Sequence, residues 1–365
     1  MPLTGDQALE MAEQALEDGE FQDAVALCDQ VLAEDPKDPD ALHLKGLALA
    51  SLGDYEDADE ALASLLRLEP HNVTVLIDAA DVKIREPGDD RERIEEGLEL
   101  LERAERGAKK ERSRSGRGPE QREDLGQGGA TSNTEEAALI QLELLRGIAM
   151  NQLGEFEPAL QAFARVLQLD PDHSEAQLER ALCFFEQGRF PEAKKAFEKL
   201  SKDFPEEPWS FHYLGLLAER RGEDPEPWFK KARDIDPEEF PPPTHLSIAE
   251  FDAAVADAIA KLPEHARPHL DNAVINVEPI PSDEEIKEGL SPTILGVFAG
   301  TPIDERLSMH ASHQETVRIT LFQKNLERFA RTREELLEEI RITVLHEVGH
   351  LLGLDEDELY ERGLD

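Results

Sequence analysis

The pattern of apolar and polar positions predicts a small domain of helices and strands in the last third of the chain. Residues 247–262 carry apolar side chains at helical spacing, namely Ile248, Phe251, Val255, Ile259 and Leu262. Three short runs alternate or are rich in β-branched residues, which is typical of strands; they cover residues 272–277, 293–298 and 317–322. These elements predict an α+β domain over residues 247–365.

A long helix is predicted in the same domain, over residues 333–352. Thr332 and Glu335 have the spacing of a capping box, in which two side chains bond the first backbone amides of a helix. Gly353 supplies the residue type that most readily ends one.

The first two thirds of the chain repeat with a step of 34 residues. The motif Gly19-Glu20-Phe21-x-x-Ala24 recurs from Gly53 to Ala58, and a further pair starts at Gly154 and Gly188. The glycine ends a first helix, the aromatic residue fills the groove to a second helix, and the alanine lets the two lie close. A proline follows the second helix at the same step. This period predicts stacked helical hairpins over residues 1–106 and 135–237.

These residues resemble the tetratricopeptide repeat family. The resemblance implies an all-α solenoid whose concave face binds a protein or peptide partner. A spacer or a dimerisation surface is the alternative for the same array. The unit near Asn72 departs from the pattern, since Pro87-Gly88 replaces a lone glycine and only its second helix, over about residues 90–106, is clear.

Two segments are predicted to link the domains of this multidomain chain. Residues 107–134 are rich in glycine, serine and charge and almost lack large apolar residues, so they are predicted to be disordered. Residues 238–246 contain three consecutive prolines and are predicted to be an extended linker.

Charge narrows the choice of partners. The formal net charge of −42 argues against nucleic acid and anionic membranes, which both attract basic proteins. The chain also lacks an apolar signal core and a run of membrane-spanning length, so a cytoplasmic location is predicted. Cys28 and Cys183 lie far apart inside helical patterns and are predicted to be buried thiols.

The long C-terminal helix carries candidate metal chemistry in the motif His346-Glu347-Val348-Gly349-His350. Histidines four residues apart project from one helix face, so both can bind one Zn²⁺ ion. Glu347 is predicted to be the general base that takes a proton from the attacking water. Gly349 costs a helix about 1 kcal/mol relative to alanine, so a local contact is expected to require it.

A third metal ligand is expected just beyond this helix. Gly353 would turn the chain so that the residue three places on, Glu356, returns to the metal. Alternatives are the two flanking residues Asp355 and Asp357, of which Asp357 is the second choice, and the more remote His310 and His313. The strand at residues 317–322 is interpreted either as an edge strand that pairs with an extended substrate or as an ordinary sheet strand.

The last 115 or so residues resemble the minimal zincin-like metallopeptidase family. The resemblance is carried by NAVINVEPIP, LGVFAGTPIDER, RITLFQKNL and ITVLHEVGHLLGLDEDEL. It implies a compact zincin fold without the methionine turn of larger relatives, in which zinc is held by His346, His350 and an acidic residue at position 356. It also implies that Glu347 is the catalytic base. The family commonly has aspartate at position 356, where this chain has Glu356.

The sequence therefore favours a zinc-dependent peptidase whose repeats recruit or position a protein substrate. One alternative is a repeat scaffold whose zinc-binding domain is structural or inactive. Another is a metal-dependent hydrolase that acts on a non-peptide amide.

Overall fold

A computed structural model of the chain describes residues 3–86, 90–114, 129–262, 270, 273–300, 317–355 and 358–359, with the backbone alone for 111–114 and 129–135. The chain divides into two compact units, residues 1–183 and residues 184–365.

The first unit consists of helices that pair with their neighbours along the chain. They are α1 (Gly5–Glu17), α2 (Phe21–Glu34), α3 (Pro39–Leu52), α4 (Tyr55–Leu68), α5 (Val73–Arg85), α6 (Arg91–Arg114), α7 (Gly129–Gln152) and α8 (Phe156–Leu169), followed by α9 (Ser174–Glu186), which continues into the second unit. The unit that starts near Asn72 has both of its helices, α5 and α6, whereas the sequence showed only the second clearly.

The residues of the repeat motif have the predicted roles in packing. Gly53 caps α3 in the left-handed conformation, with φ +83°, which a side chain would oppose. Ala24, Ala58 and Ala159 are completely buried, each near the start of the second helix of its pair. The predicted helical hairpins are therefore confirmed in this unit.

The prediction of a disordered segment over residues 107–134 is wrong at both of its ends. Helix α6 continues to Arg114, and α7 already begins at Gly129. Ion pairs prolong α6 beyond its apolar face: Glu105 pairs with Lys109 at 2.6 Å and with Arg146 of α7 at 2.9 Å. Residues 115–128 lie outside the described part of the chain.

The second unit combines repeat helices with a small sheet. Its further helices are α10 (Phe190–Asp203), α11 (Pro208–Arg220), α12 (Glu226–Ile235), α13 (Ile248–Lys261), α14 (Asp283–Lys287), α15 (Gln323–Phe329) and α16 (Arg333–Leu351). Its strands are β1 (Ala273–Glu278), β2 (Gly296–Ala299) and β3 (Val317–Phe322).

The sheet has the strand order β1-β3-β2, so β3 is its central strand. Strand β1 pairs with β3 in parallel and β2 pairs with it in antiparallel orientation. The interpretation of residues 317–322 as an edge strand for substrate is therefore wrong. The physical reason is burial on both faces: every residue of β3 except Arg318 is buried.

Helices α13 and α16 pack on this sheet and form its core. Phe251 of α13, Ile319 of β3 and Ile340 of α16 are completely buried in one cluster. The predicted capping box starts α16, since the Thr332 hydroxyl accepts a bond from the Glu335 amide at 3.2 Å. The second unit thus contains the predicted α+β domain.

The proline-rich segment 238–246 begins in a turn and has no regular secondary structure from residue 241 onwards, and it is packed rather than free. Phe240 and Leu246 are buried, and the Leu246 amide donates to the Glu327 carboxylate at 3.0 Å. The boundary predicted at this segment lies inside the second compact unit, which begins at Phe184.

Replacing the core residue Phe251 with alanine should destabilise the second unit by about 3–5 kcal/mol, because the change empties a completely buried site. Both tryptophans, Trp209 and Trp228, lie in this unit, so urea denaturation followed by tryptophan fluorescence reports on it. The control is Ile248→Ala on the same helix, where the side chain is 75% exposed. Equal losses in the two variants would contradict the described packing of α13.

Candidate metal centre

Helix α16 brings the two histidines of the motif together. Nε2 of His346 lies 3.0 Å from Nε2 of His350, with the ring planes nearly perpendicular at 86°. Two imidazole nitrogens on a tetrahedral Zn²⁺ ion, each at about 2.0–2.1 Å, lie about 3.3 Å apart. The pair therefore fits a shared zinc ion after a shift of a few tenths of an ångström.

The end of α16 fixes the orientation of His350. Its Nδ1 lies 3.2 Å from the carbonyl oxygen of Leu354, which can only accept a hydrogen bond. Nδ1 is therefore the protonated nitrogen, and in the neutral ring the lone pair is on Nε2, the atom that faces His346. A backbone carbonyl that holds the second nitrogen in this way is common behind metal-binding histidines.

Gly353 produces the turn that places this carbonyl. It has φ +91°. Its backbone amide donates to the carbonyl oxygen of His350, and the Leu354 amide donates to the carbonyl oxygen of Gly349, both at 3.0 Å. This pair of hydrogen bonds is a Schellman motif, so the predicted end of the helix is confirmed.

The glycine inside the helix has a packing reason. A Cβ atom at Gly349 would lie 2.3 Å from Cδ2 of Leu359, which is itself completely buried. The chain beyond Gly353 thus packs back onto α16 through Leu359. The local contact expected from the sequence is present.

The structure describes only one of the candidates for the third ligand, Asp355. The Asp355 carboxylate accepts a bond from the Glu358 amide at 2.9 Å, and the Glu358 carboxylate accepts one from the Asp355 amide at 3.3 Å. Asp355 thus caps the turn that contains Leu359. The other candidates, Glu356, Asp357, His310 and His313, are outside the described residues. Within the described ranges, no group of three His, Cys, Asp or Glu side chains is arranged to hold a metal ion.

The side chain of Glu347, which belongs to α16, lies against strand β2. It is 5% exposed, and a Cβ atom built on Gly296 would lie 3.1 Å from its Oε1 and 2.6 Å from the Thr343 methyl group. Gly296 therefore lets β2 come close to the motif. Sequence reasoning missed this residue, although a glycine within a strand often marks a close approach of the backbone.

A second group of charged residues connects α5 and α9 in the first unit. Arg85 of α5 pairs with Asp81 at 2.6 Å and with Glu175 of α9 at 2.7 Å. Burial, together with the neighbouring Glu175 carboxylate, raises the pKa of Glu179 to about 7.

The two cysteines are both buried, as predicted. In the first unit, burial raises the pKa of the Cys28 thiol to about 11.

Two families match the chain over separate regions. Residues 270–364 match the family described as "Zincin-like metallopeptidase". Residues 15–76 and 151–220 match the family described as "Tetratricopeptide repeat". Its repeats therefore match one known family and its C-terminal region matches another. The predicted fold class, a helical repeat solenoid followed by a small α+β domain, is confirmed.

Several solved structures match part of this chain at low sequence identity. A tetratricopeptide repeat protein from Parabacteroides merdae is 16% identical with a TM-score of 0.46, over 64% of this chain and 80% of that one. PilW, a type IV pilus biogenesis factor, is 16% identical with a TM-score of 0.49, over 65% and 96%. YrrB, "a TPR protein with an unusual peptide-binding site", is 19% identical with a TM-score of 0.35, over 58% and 93%.

None of the helices in the described ranges combines the length and the apolar character needed to cross a membrane.

Gly349→Ala is expected to weaken zinc binding by about tenfold or more, because the added methyl group displaces Leu359 and with it the turn that orients His350. Competition with a chromogenic chelator measures the affinity. The double variant Gly349→Ala, Leu359→Ala should recover most of it, since it makes room for the methyl group. Unchanged affinity in the single variant would show that this turn does not support the site.

Glu179→Gln should stabilise the first unit at high pH. The folded chain keeps this carboxyl protonated up to about pH 7, whereas the unfolded chain releases the proton near its ordinary pKa of 4.5. The unfolded state binds fewer protons between these values, so stability falls as the pH rises through this window. Glutamine removes the effect.

Urea denaturation followed by circular dichroism should show the variant about 1–3 kcal/mol more stable than the wild type at pH 8.5, and less so towards pH 5.5. The exposed Glu60→Gln controls for the loss of one charge in the same unit. A stability difference that stays constant with pH would rule out this role for Glu179.

Proposed function

We propose that the C-terminal domain is a zinc-dependent peptidase and that the repeats recruit or position its protein substrate. The observation that supports this most directly is the arrangement around α16. Two imidazole nitrogens face each other at 3.0 Å, and the carboxylate of the intervening Glu347 is buried beside β2. The match to a zincin-like metallopeptidase family is consistent with it.

In this proposal, His346, His350 and Glu356 hold the metal. Bound zinc supplies a Lewis acid that polarises the amide carbonyl and makes a water molecule easier to deprotonate. Glu347 accepts the proton of the attacking water on its carboxylate and later gives it to the leaving amine nitrogen. Burial against Gly296 holds this carboxylate in one position and keeps bulk water away from it.

Strand β2 is our candidate for the edge that binds the substrate. It pairs with β3 on one side, and no strand among the described residues pairs with its other side. An extended peptide that added a strand there would run alongside the helix that carries Glu347. This assignment replaces the one that the sequence suggested for residues 317–322.

The repeats are proposed to bind a protein or peptide through their concave face. Tetratricopeptide repeat proteins bind peptides or proteins, and YrrB has a peptide-binding site. With a net charge of −42, basic or neutral partners are favoured over nucleic acid and anionic membranes. A cytoplasmic location remains part of this proposal.

Glu347→Gln tests the catalytic role. The zinc-loaded wild type and the variant are incubated with a proteome-derived peptide library, and new peptide termini are identified by mass spectrometry. Cleavage should fall at least about 100-fold in the variant, because the general base is lost. Zinc affinity should change little, since the carboxylate is not a proposed ligand.

His346→Ala is the matched variant, and it should lose both zinc and cleavage. Wild-type cleavage that survives Glu347→Gln would refute the mechanism. Tight zinc binding without any wild-type cleavage would favour the scaffold with an inactive zinc domain.

A further inference from the structure

The last repeat contacts the C-terminal domain through a charged residue of α11. Glu219 accepts a bond from the Lys324 ammonium group at 2.9 Å and pairs through its other oxygen with the Arg328 guanidinium. Both cations belong to α15, which directly follows the central strand β3. The Glu219 and Arg328 side chains are only 12% and 17% exposed, so the pair is largely removed from water.

Arg328 is surrounded by groups of the last repeat. Its guanidinium lies 5.6 Å from the centre of the Phe229 ring on α12. Burial of His212 on α11, together with the Arg328 charge, lowers the pKa of that histidine to about 4. In such surroundings a guanidinium without a carboxylate partner is costly, which makes Glu219 important for the position of α15.

Helix α15 in turn holds the chain that leads into β2. The side-chain nitrogen Nδ2 of the buried Asn325 donates to the carbonyl oxygens of Pro292 at 3.1 Å and Ile294 at 2.8 Å. Its oxygen accepts a bond from Arg328 at 3.3 Å. Asn325 therefore links the ion pair to a backbone segment that ends two residues before Gly296.

Three more hydrogen bonds connect the chain between β1 and β2 to repeat helices. Arg220 of α11 donates to the Pro281 carbonyl oxygen and to Asp283, both at 2.9 Å. The Ser291 hydroxyl donates to Glu186 of α9 at 2.8 Å. The chain before β2 is thus held by side chains of α9 and α11 as well as by its own domain.

We propose that Glu219 of the last repeat is a positioning residue for the candidate site. It fixes α15 through Arg328 and Lys324, and through Asn325 it fixes the entry of β2, whose Gly296 packs against Glu347. The catalytic consequence of this positioning rests on the proposed function, whereas the structural linkage does not.

Glu219→Gln in the full-length chain tests the proposal with an almost isosteric change. Hydrogen exchange of peptides that cover residues 290–299 and 323–329 should be about tenfold faster than in the wild type, because α15 and the β2 entry open more readily. Exchange in α16 and zinc affinity should stay close to wild-type values. Glu219→Asp keeps the charge and should restore much of the protection.

The matched control is Glu223→Gln, which removes one carboxylate just beyond the end of α11. Glu223 is exposed and pairs with its neighbour Arg221 rather than with the C-terminal domain. Exchange in the two test regions should not change in this variant. Equal exchange in the Glu219 and Glu223 variants would overturn the proposal, and so would a loss of protection that extends equally through α16.

A kinetic measurement separates this proposal from the proposed function. For a library peptide that the wild type cleaves, Glu219→Gln should lower kcat several-fold at unchanged zinc occupancy, and Glu219→Asp should recover part of the loss. Absence of wild-type cleavage would contradict the proposed peptidase activity. The exchange experiment would still decide whether Glu219 holds α15 and the entry of β2. Faster exchange with an unchanged kcat would show that Glu219 holds α15 without positioning the site.

Discussion

The candidate site depends on close packing around helix α16 at two points where a side chain is missing. Gly296 lets strand β2 approach Glu347, and Gly349 lets Leu359 return onto the helix from the C-terminal side. Close packing in a protein interior leaves little room for adjustment, so each contact fixes the backbone that carries it. The motif histidines supply the candidate metal-binding nitrogens, and these two close approaches determine which groups surround them. A helix with the same histidines and larger residues at these positions would have different neighbours around the motif.

In the helical repeats, small residues also allow close packing, and they recur at a fixed spacing. Ala58 and its equivalents are completely buried where two helices meet, and glycines such as Gly53 end the first helix of a pair. Because each unit contacts mainly its neighbours, the pattern can be read from a short stretch of sequence. The C-terminal domain differs, since its strands pair across long separations. In the sheet, β1 and β2 both depend on β3, which comes after them in the chain.

This difference explains which features could be predicted from the sequence. Local signals gave the helical hairpins, the capping box at Thr332, the helix end at Gly353 and the contact that requires Gly349. The position of β3 in the sheet could not be derived, because a run of β-branched residues does not say which strands lie beside it. The continuation of α6 into the 107–134 segment was missed because ion pairs such as Glu105–Lys109, rather than apolar periodicity, support the helix there. For the site, the facing histidines were foreseen, whereas the role of Gly296 depends on a partner about 50 residues away.

The domain boundary is the clearest case of a feature that depends on contacts between residues distant in the sequence. Period and composition place it at the proline-rich segment 238–246, and the zincin-like match begins only at residue 270. Packing places the last repeats in one compact unit with the C-terminal domain. The groups that join them include single charged residues such as Glu219, which leave no periodic pattern in the sequence. Since a buried ion pair requires both partners to be held in register, these contacts are more demanding in geometry than an apolar surface of equal size. A repeat that only tethered a substrate to the domain would not need them, so their presence argues that the last repeat is part of the structure that shapes the site.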